Sequence, residues 1–176
     1  MAHEVVLMPG DGIGPEVSDA TARAVDATGV KINWTRVEAG ADVLTKHGTP
    51  LPDSALHAVT RARVGLKGPI GTPIGGGFQS VNVQLRKKLD LYASVRPALS
   101  IPGITTRYED VDLVIIRENT EDLYTGIEHM VTNGVAEAIK VITEAGSTRI
   151  ARFAFNFART EGRKKVTSVH KANIMK

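Results

Sequence analysis

The chain contains no cysteine. That absence removes disulfides, thiol nucleophiles and thiolate zinc sites. It has no apolar run long enough to span a membrane. It shows no signal peptide, because Met1-Ala2-His3-Glu4 leads directly into a strand-like VVLM. Internal repeats and low-complexity segments are also missing. Neither sign of charge is in large excess: the net charge is +3, and lysine and arginine are scattered. Nucleic acid is therefore not an expected partner, nor is a membrane. The one short basic cluster, GRKKV at Gly162–Val166, reads as a solvated helix end. What remains is ordinary for a globular protein. The 176 residues are 42% hydrophobic and 23% charged, enough for one domain or two small ones with a buried core.

The early chain alternates strands and helices. EVVLM (Glu4–Met8) reads as a buried strand, PGDGIG turns the chain, and Pro15 suits a first helical turn. A helix to about Thr28 should turn Val17, Ala20, Ala24 and Val25 to one face. VKINWTRVE alternates as a strand, and ADVLTKH is a short helix closed by Gly48. Asp53 can cap a helix to about Ala62, VGL is a short strand, and Ser80 is placed to cap a helix to about Asp90. The later chain is mixed. VDLVIIRE (Val111–Glu118) is a buried strand ending in charge, and Asn133-Gly134 signals a type I′ hairpin. A helix from about Ser147 to Glu161 carries Ile150, Phe153, Ala154 and Phe157 at i, i+3, i+4 and i+7. VTSVH is a last strand, and NIMK resembles the first turn of another helix. This order argues for an α/β fold with a second, mixed module and no Pro/Gly/Ser linker between them.

Two glycine-rich segments invite chemistry. PGDGIGP falls short of a dinucleotide fingerprint: Gly10-x-Gly12 fits, but Pro15 stands where the third glycine belongs, and Glu38 is the nearest acid after the second strand. A tight turn and a loop beside a nucleotide both remain open. KGPIGTPIGGG (Lys67–Gly77) packs five glycines and two prolines into eleven residues, then feeds a helix N-terminus. Such a loop lets backbone approach an anion closely, although a flexible surface loop has the same composition. On the helix, Asn82 and Arg86 are i and i+4 and share a face. Arg96 lies in YASVRP and Arg117 ends a hydrophobic strand. Three arginines suited to bidentate clamping suggest a substrate with several carboxylates or phosphates, with structural ion pairs as the alternative. Tyr124 stands in a polar loop where a general acid would be useful, and Lys171 just past a strand could become a base if desolvated. His170 reads as structural, because no second histidine or carboxylate lies at metal-ligand spacing.

Taken together, PGDGIGPE, KGPIGTPIGGGFQSVNVQLRKKLDLYASVRP, IIRENTEDLYTGIEH and VTSVHKANIMK resemble the β-decarboxylating dehydrogenases, the isocitrate and 3-isopropylmalate dehydrogenase family. SVNVQLR and HKANIMK are most similar to the NAD-dependent isocitrate branch, with homoisocitrate dehydrogenases close by. An isopropylmalate enzyme would be expected to carry apolar residues at Ser80 and Asn82.

The resemblance implies a fold that is not a true Rossmann domain, with residues 1–91 opening a large domain and 92–176 beginning a smaller α+β dimerisation domain. It also implies roles. Arg86, Arg96 and Arg117 would clamp the α- and β-carboxylates, and Ser80 and Asn82 would hold the γ-carboxylate. Lys67 would be a supporting cation. Thr72, and Asn173 of a partner subunit, would lie near the nicotinamide. Lys171 would help deprotonate the C2 hydroxyl across a dimer interface, and Tyr124 would protonate the enolate. NAD, or NADP, and Mg2+ or Mn2+ are the implied cofactors, isocitrate the substrate, and a homodimer or higher homo-oligomer the assembly. The implied compartment is the cytoplasm, or the mitochondrial matrix in a eukaryote. The family's metal-binding aspartates and adenosine pocket fall after the position of Lys176, so the chain is expected to be an N-terminal half without a metal cage and inactive alone. The rival reading is a non-catalytic regulatory subunit or an anion-binding fragment. Such subunits often lose the arginines or the tyrosine, which are all present here.

Overall fold

The computed structural model describes residues 2–71 and 79–170, in two compact units, Met1–Leu91 and Tyr92–Lys176. In the first unit, β1 (His3–Met8) is the middle strand of a parallel sheet of order β2-β1-β3, flanked by β2 (Ile32–Arg36) and β3 (Gly65–Lys67). The register runs from His3 opposite Ile32 to Leu7 opposite Arg36, and from Val6 opposite Gly65 to Met8 opposite Lys67. Val5 to Met8 are all buried, as a strand covered on both faces requires. Met8 joins Leu51, Ala55, Leu56, Val81 and Leu85 in the core.

The helices of this unit are α1 (Gly14–Asp26), α2 (Ala41–His47), α3 (Asp53–Ala62) and α4 (Val81–Lys88). Gly48 closes α2 in the left-handed conformation, with φ of 68°. Three expectations need correction. The buried positions of α1 are Gly14 and Ser18, while Val17 is exposed. Ser18 donates its hydroxyl to the Pro9 carbonyl at 3.4 Å, so this face meets backbone and needs small residues rather than an apolar stripe. Asp53 is the first residue of α3 behind Pro52, and no side chain caps that helix. Ser80 is the N-cap residue of α4, but its carbonyl, not its hydroxyl, makes the bond, accepting from Gln84 N at 2.9 Å.

In the second unit, β4 (Ala93–Leu99) pairs antiparallel with β5 (Asp112–Glu118). β6 (Asp122–Thr132) and β7 (Val135–Val141) form a hairpin, and α5 (Glu144–Thr160) packs on β5. Thr143 caps α5 by accepting from Gly146 N at 2.9 Å, which starts the helix a turn earlier than expected. Ile150, Phe153, Ala154 and Phe157 form its half-buried face, and Phe153 meets Tyr92 edge-on at 6.0 Å. The hairpin turn is not type I′. That type needs positive φ at both central residues, and only Gly134, at 78°, has it; the ladder is also irregular between Met130 and Thr132. VTSVH forms no strand: residues 166–170 have no ladder partner among the described residues. The NIMK turn, Thr72, Lys171 and Asn173 lie outside the described residues.

Candidate active site

In the first unit, the turn after β1 is clasped to the loop after β3. Asp11 N donates to the Pro69 carbonyl at 2.9 Å, and Gly68 N to the Met8 carbonyl at 2.8 Å. Gly10 has φ of 80°, and a Cβ there would run into the Pro69 carbonyl, so glycine is required. Gly10 of PGDGIG therefore serves a close backbone approach, whereas Gly12 faces open space and supplies only a positive φ of 57°. The Asp11 carboxylate accepts from Ala41 N at 3.1 Å, supplying α2 with the cap that Gly40 lacks. Lys67, the last residue of β3, is half-buried and donates to the Gly68 carbonyl at 2.5 Å. Burial lowers its pKa from the ordinary lysine value; the Asp11 carboxylate opposes that shift and the Arg86 guanidinium adds to it. Lys67, Asp11 and Arg86 thus share one electrostatic neighbourhood. Asn82 and Arg86 lie one turn apart on α4, both half-buried.

In the second unit, the β4–β5 register sets Ser94 opposite Arg117, and Arg96 lies two residues along the same face. Arg96 Nε donates to Ser94 Oγ at 3.2 Å. Arg117 Nη2 donates to the Tyr124 phenol oxygen at 3.2 Å, and its guanidinium carbon lies 5.3 Å from the ring centroid. Arg117 and Tyr124, which are separated by a turn in the chain, are thus brought into direct contact. Arg117 stands next to the last residue of β5, at the start of the turn that leads to Tyr124.

The connecting turn carries residues that sequence reasoning passed over. The Glu118 carboxylate accepts from the Thr120 hydroxyl at 2.6 Å, from Thr120 N at 2.9 Å and from Glu121 N at 2.8 Å. Arg149 Nη2, from α5, donates to the Thr120 hydroxyl at 2.7 Å and lies 3.5 Å from Glu118. Burial of Glu118 favours its protonated form, but the bonds from the Thr120 hydroxyl and the Glu121, Thr120 and Asn119 amides outweigh this and lower its pKa. Glu121 in turn accepts from Thr143 N at 2.9 Å and from the Thr143 hydroxyl. The only sequence signal for this network was the acid-x-Thr-acid spacing of Glu118-Asn119-Thr120-Glu121. A cavity of about 370 Å³ beside α5, lined by Tyr92, Arg149, Arg152, Phe153 and Asn156 among others, adjoins this network through Arg149 and contains none of the residues expected to bind substrate.

No group of three histidine or acidic side chains converges among the described residues, so these residues do not fit a metal ion. Also among the described residues, no helix is long and apolar enough to cross a membrane. An α/β protein in which Lys67 neighbours Arg86 in the first unit and Arg117 meets Tyr124 in the second is the class these observations define.

Comparison with known proteins narrows that class. The family profile for isocitrate/isopropylmalate dehydrogenase matches residues 4–176, and the chain belongs to that family and has its fold. It is 50% identical to NAD isocitrate dehydrogenase catalytic subunit 6 of Arabidopsis thaliana over 172 residues, 98% of this chain and 46% of that protein. It is also 48% identical to NAD isocitrate dehydrogenase regulatory subunit 3 of the same plant, over 98% of this chain and 45% of that protein. The chloroplastic 3-isopropylmalate dehydrogenase of Solanum tuberosum is 49% identical, over 96% of this chain and 47% of that protein. The crystal structure of isocitrate dehydrogenase from Methylococcus capsulatus superposes with a TM-score of 0.92 at 52% identity, over 98% of this chain and 52% of that one. The chain therefore spans about half the length of the curated relatives it matches.

Proposed function

We propose that this chain supplies the substrate-holding part of an NAD(P)-dependent isocitrate dehydrogenase, converting isocitrate to 2-oxoglutarate in a homo-oligomer of full-length subunits. Residues 1–91 open its large domain and 92–176 begin its small, dimer-forming domain. The observation that carries this reading is the Arg117–Tyr124 contact. A guanidinium N–H given to a phenol oxygen stabilises the negative charge left when that phenol releases its proton. A cation that binds a carboxylate is thereby joined to an acid beside the carbon that loses one.

The chain's own groups divide the work. Arg86, Arg96 and Arg117 hold the α- and β-carboxylates in forked hydrogen bonds. Ser80 and Asn82 hold the γ-carboxylate. Lys67 adds positive charge beside Arg86. Thr72 and a partner subunit's Asn173 orient the nicotinamide, which when bound accepts the hydride from C2. Lys171 takes the C2 hydroxyl proton. After carbon dioxide leaves C3, Tyr124 Oη delivers a proton to that carbon. The mitochondrial names of several relatives, and their NAD, favour NAD as oxidant and the matrix as compartment if the source is eukaryotic.

The test uses a full-length enzyme made by joining residues 1–176 to the C-terminal half of the Methylococcus relative. Ser80 and Asn82 left unpaired by an isopropyl group would each cost about 1–3 kcal/mol. Isocitrate should therefore exceed 3-isopropylmalate in kcat/KM by at least about 30-fold. Comparable values would overturn the substrate assignment. A folded chimera that binds isocitrate without turning it over would instead support the reading as a regulatory chain, which the match to a regulatory relative keeps in view.

A further inference from the structure

We propose that Thr120, held between Glu118 and Arg149, is a positioning residue for the Arg117–Tyr124 pair. The inference rests on the reading that Arg117 and Tyr124 perform the chemistry. Those two side chains are separated by the six residues Glu118 to Leu123, so the shape of that turn fixes whether they meet. Arg117 is exposed, and an exposed contact between an arginine and an aromatic ring is weak by itself. Something other than the contact must hold the geometry.

The turn is fixed from within and from α5. Within it, one carboxylate, Glu118, gathers both the amide and the hydroxyl of Thr120 and the amide of Glu121. From α5, Arg149 reaches the same hydroxyl, and Thr143 at the helix cap reaches Glu121. Two points of one helix therefore grip two residues of the turn. The exit is strained: Asp122 has φ of 65°, and its own carboxylate accepts from Leu123 N at 2.8 Å just before Tyr124. Thr120 is the link between the internal and external bonds. A hydroxyl has one proton to give and lone pairs to receive, and here it gives to Glu118 and receives from Arg149. Valine has the same shape and can do neither, whereas serine can do both.

The experiment is a double-mutant cycle in the full-length chimera. Thr120→Val should lower kcat/KM for isocitrate about tenfold, and Thr120→Ser should restore it to within about twofold. In a Tyr124→Phe background, Thr120→Val should cost less than about threefold, because only Arg117 of the pair remains to be positioned. A residue needed only for stability would reduce activity equally in both backgrounds, and that result would overturn the inference while leaving the active-site reading intact. Wild-type turnover by Tyr124→Phe alone would overturn the active-site reading itself. If Thr120→Val fails to fold, Arg149→Lys in the same cycle is held to the same outcomes, since lysine keeps the charge but not the guanidinium's reach to the hydroxyl.

Discussion

Arg117→Lys keeps a positive charge at the end of β5 and removes everything specific to a guanidinium. Three contributions would go. The hydrogen bond to Tyr124, 3.2 Å in the structure, is an ordinary one worth about 0.5–1.5 kcal/mol. The guanidinium over the ring at 5.3 Å contributes about 0.5–1 kcal/mol at an exposed site, and an ammonium recovers part of it. The forked bond to a substrate carboxylate is charge-assisted, and losing one arm costs about 1.5–3 kcal/mol. Because these contributions share one side chain they do not simply add, and about 2–4 kcal/mol is expected, a loss of about 30- to 1000-fold in kcat/KM. The assay follows reduced nicotinamide by absorbance in the full-length chimera, with isocitrate varied so that kcat and KM separate. If Arg117 both binds and orients Tyr124, KM rises and kcat falls together. A loss below threefold would show that charge alone suffices, and would place Arg117 among surface ion-pairing residues.

Two further outcomes concern stability. Gly40 has φ of 128°, and a Cβ there would meet the Asp11 carboxylate that caps α2, so Gly40→Ala should destabilise the chain by about 2–4 kcal/mol in chemical denaturation, and an unchanged midpoint would refute the close approach. Glu118 has a folded pKa below the ordinary carboxylate value, so its contribution is complete at neutral pH and disappears as the pH falls through that depressed pKa; Glu118→Gln should flatten the acid limb of the stability profile, and parallel limbs would remove Glu118 from it.

What could be read from the residues followed from how local the cause was. The buried run Val5–Met8, the Gly48 stop and the inward face of α5 depend on near neighbours and were legible. Val17 was misjudged because α1 packs through Ser18 onto the backbone of Pro9, a contact that hydrophobic spacing cannot reveal. The hairpin position was evident from Asn133-Gly134, but Asn133 does not take the positive φ that a type I′ turn needs. VTSVH reads as a strand by composition, yet a strand exists only with a partner. On the site, Arg117 and Tyr124 were visible as chemistry-bearing types at suitable places. The bond proposed to hold their geometry joins Thr120 to Arg149, 29 residues apart, and the local sequence around either residue does not announce it.

The two units differ greatly in how much apolar surface they remove from water. Among the described residues of Tyr92–Lys176, Ala158 is the one buried hydrophobic residue, whereas the first unit buries β1 and the core around Leu51 and Leu85. The slope of stability against denaturant scales with the surface newly uncovered on unfolding. If the two units unfold separately, the second should melt over a broader range of urea concentration than the first. The chain's one tryptophan, Trp34, lies on β2. Its fluorescence should then report the steep transition alone, far-ultraviolet circular dichroism should average both, and coincident curves from the two probes would refute separate unfolding.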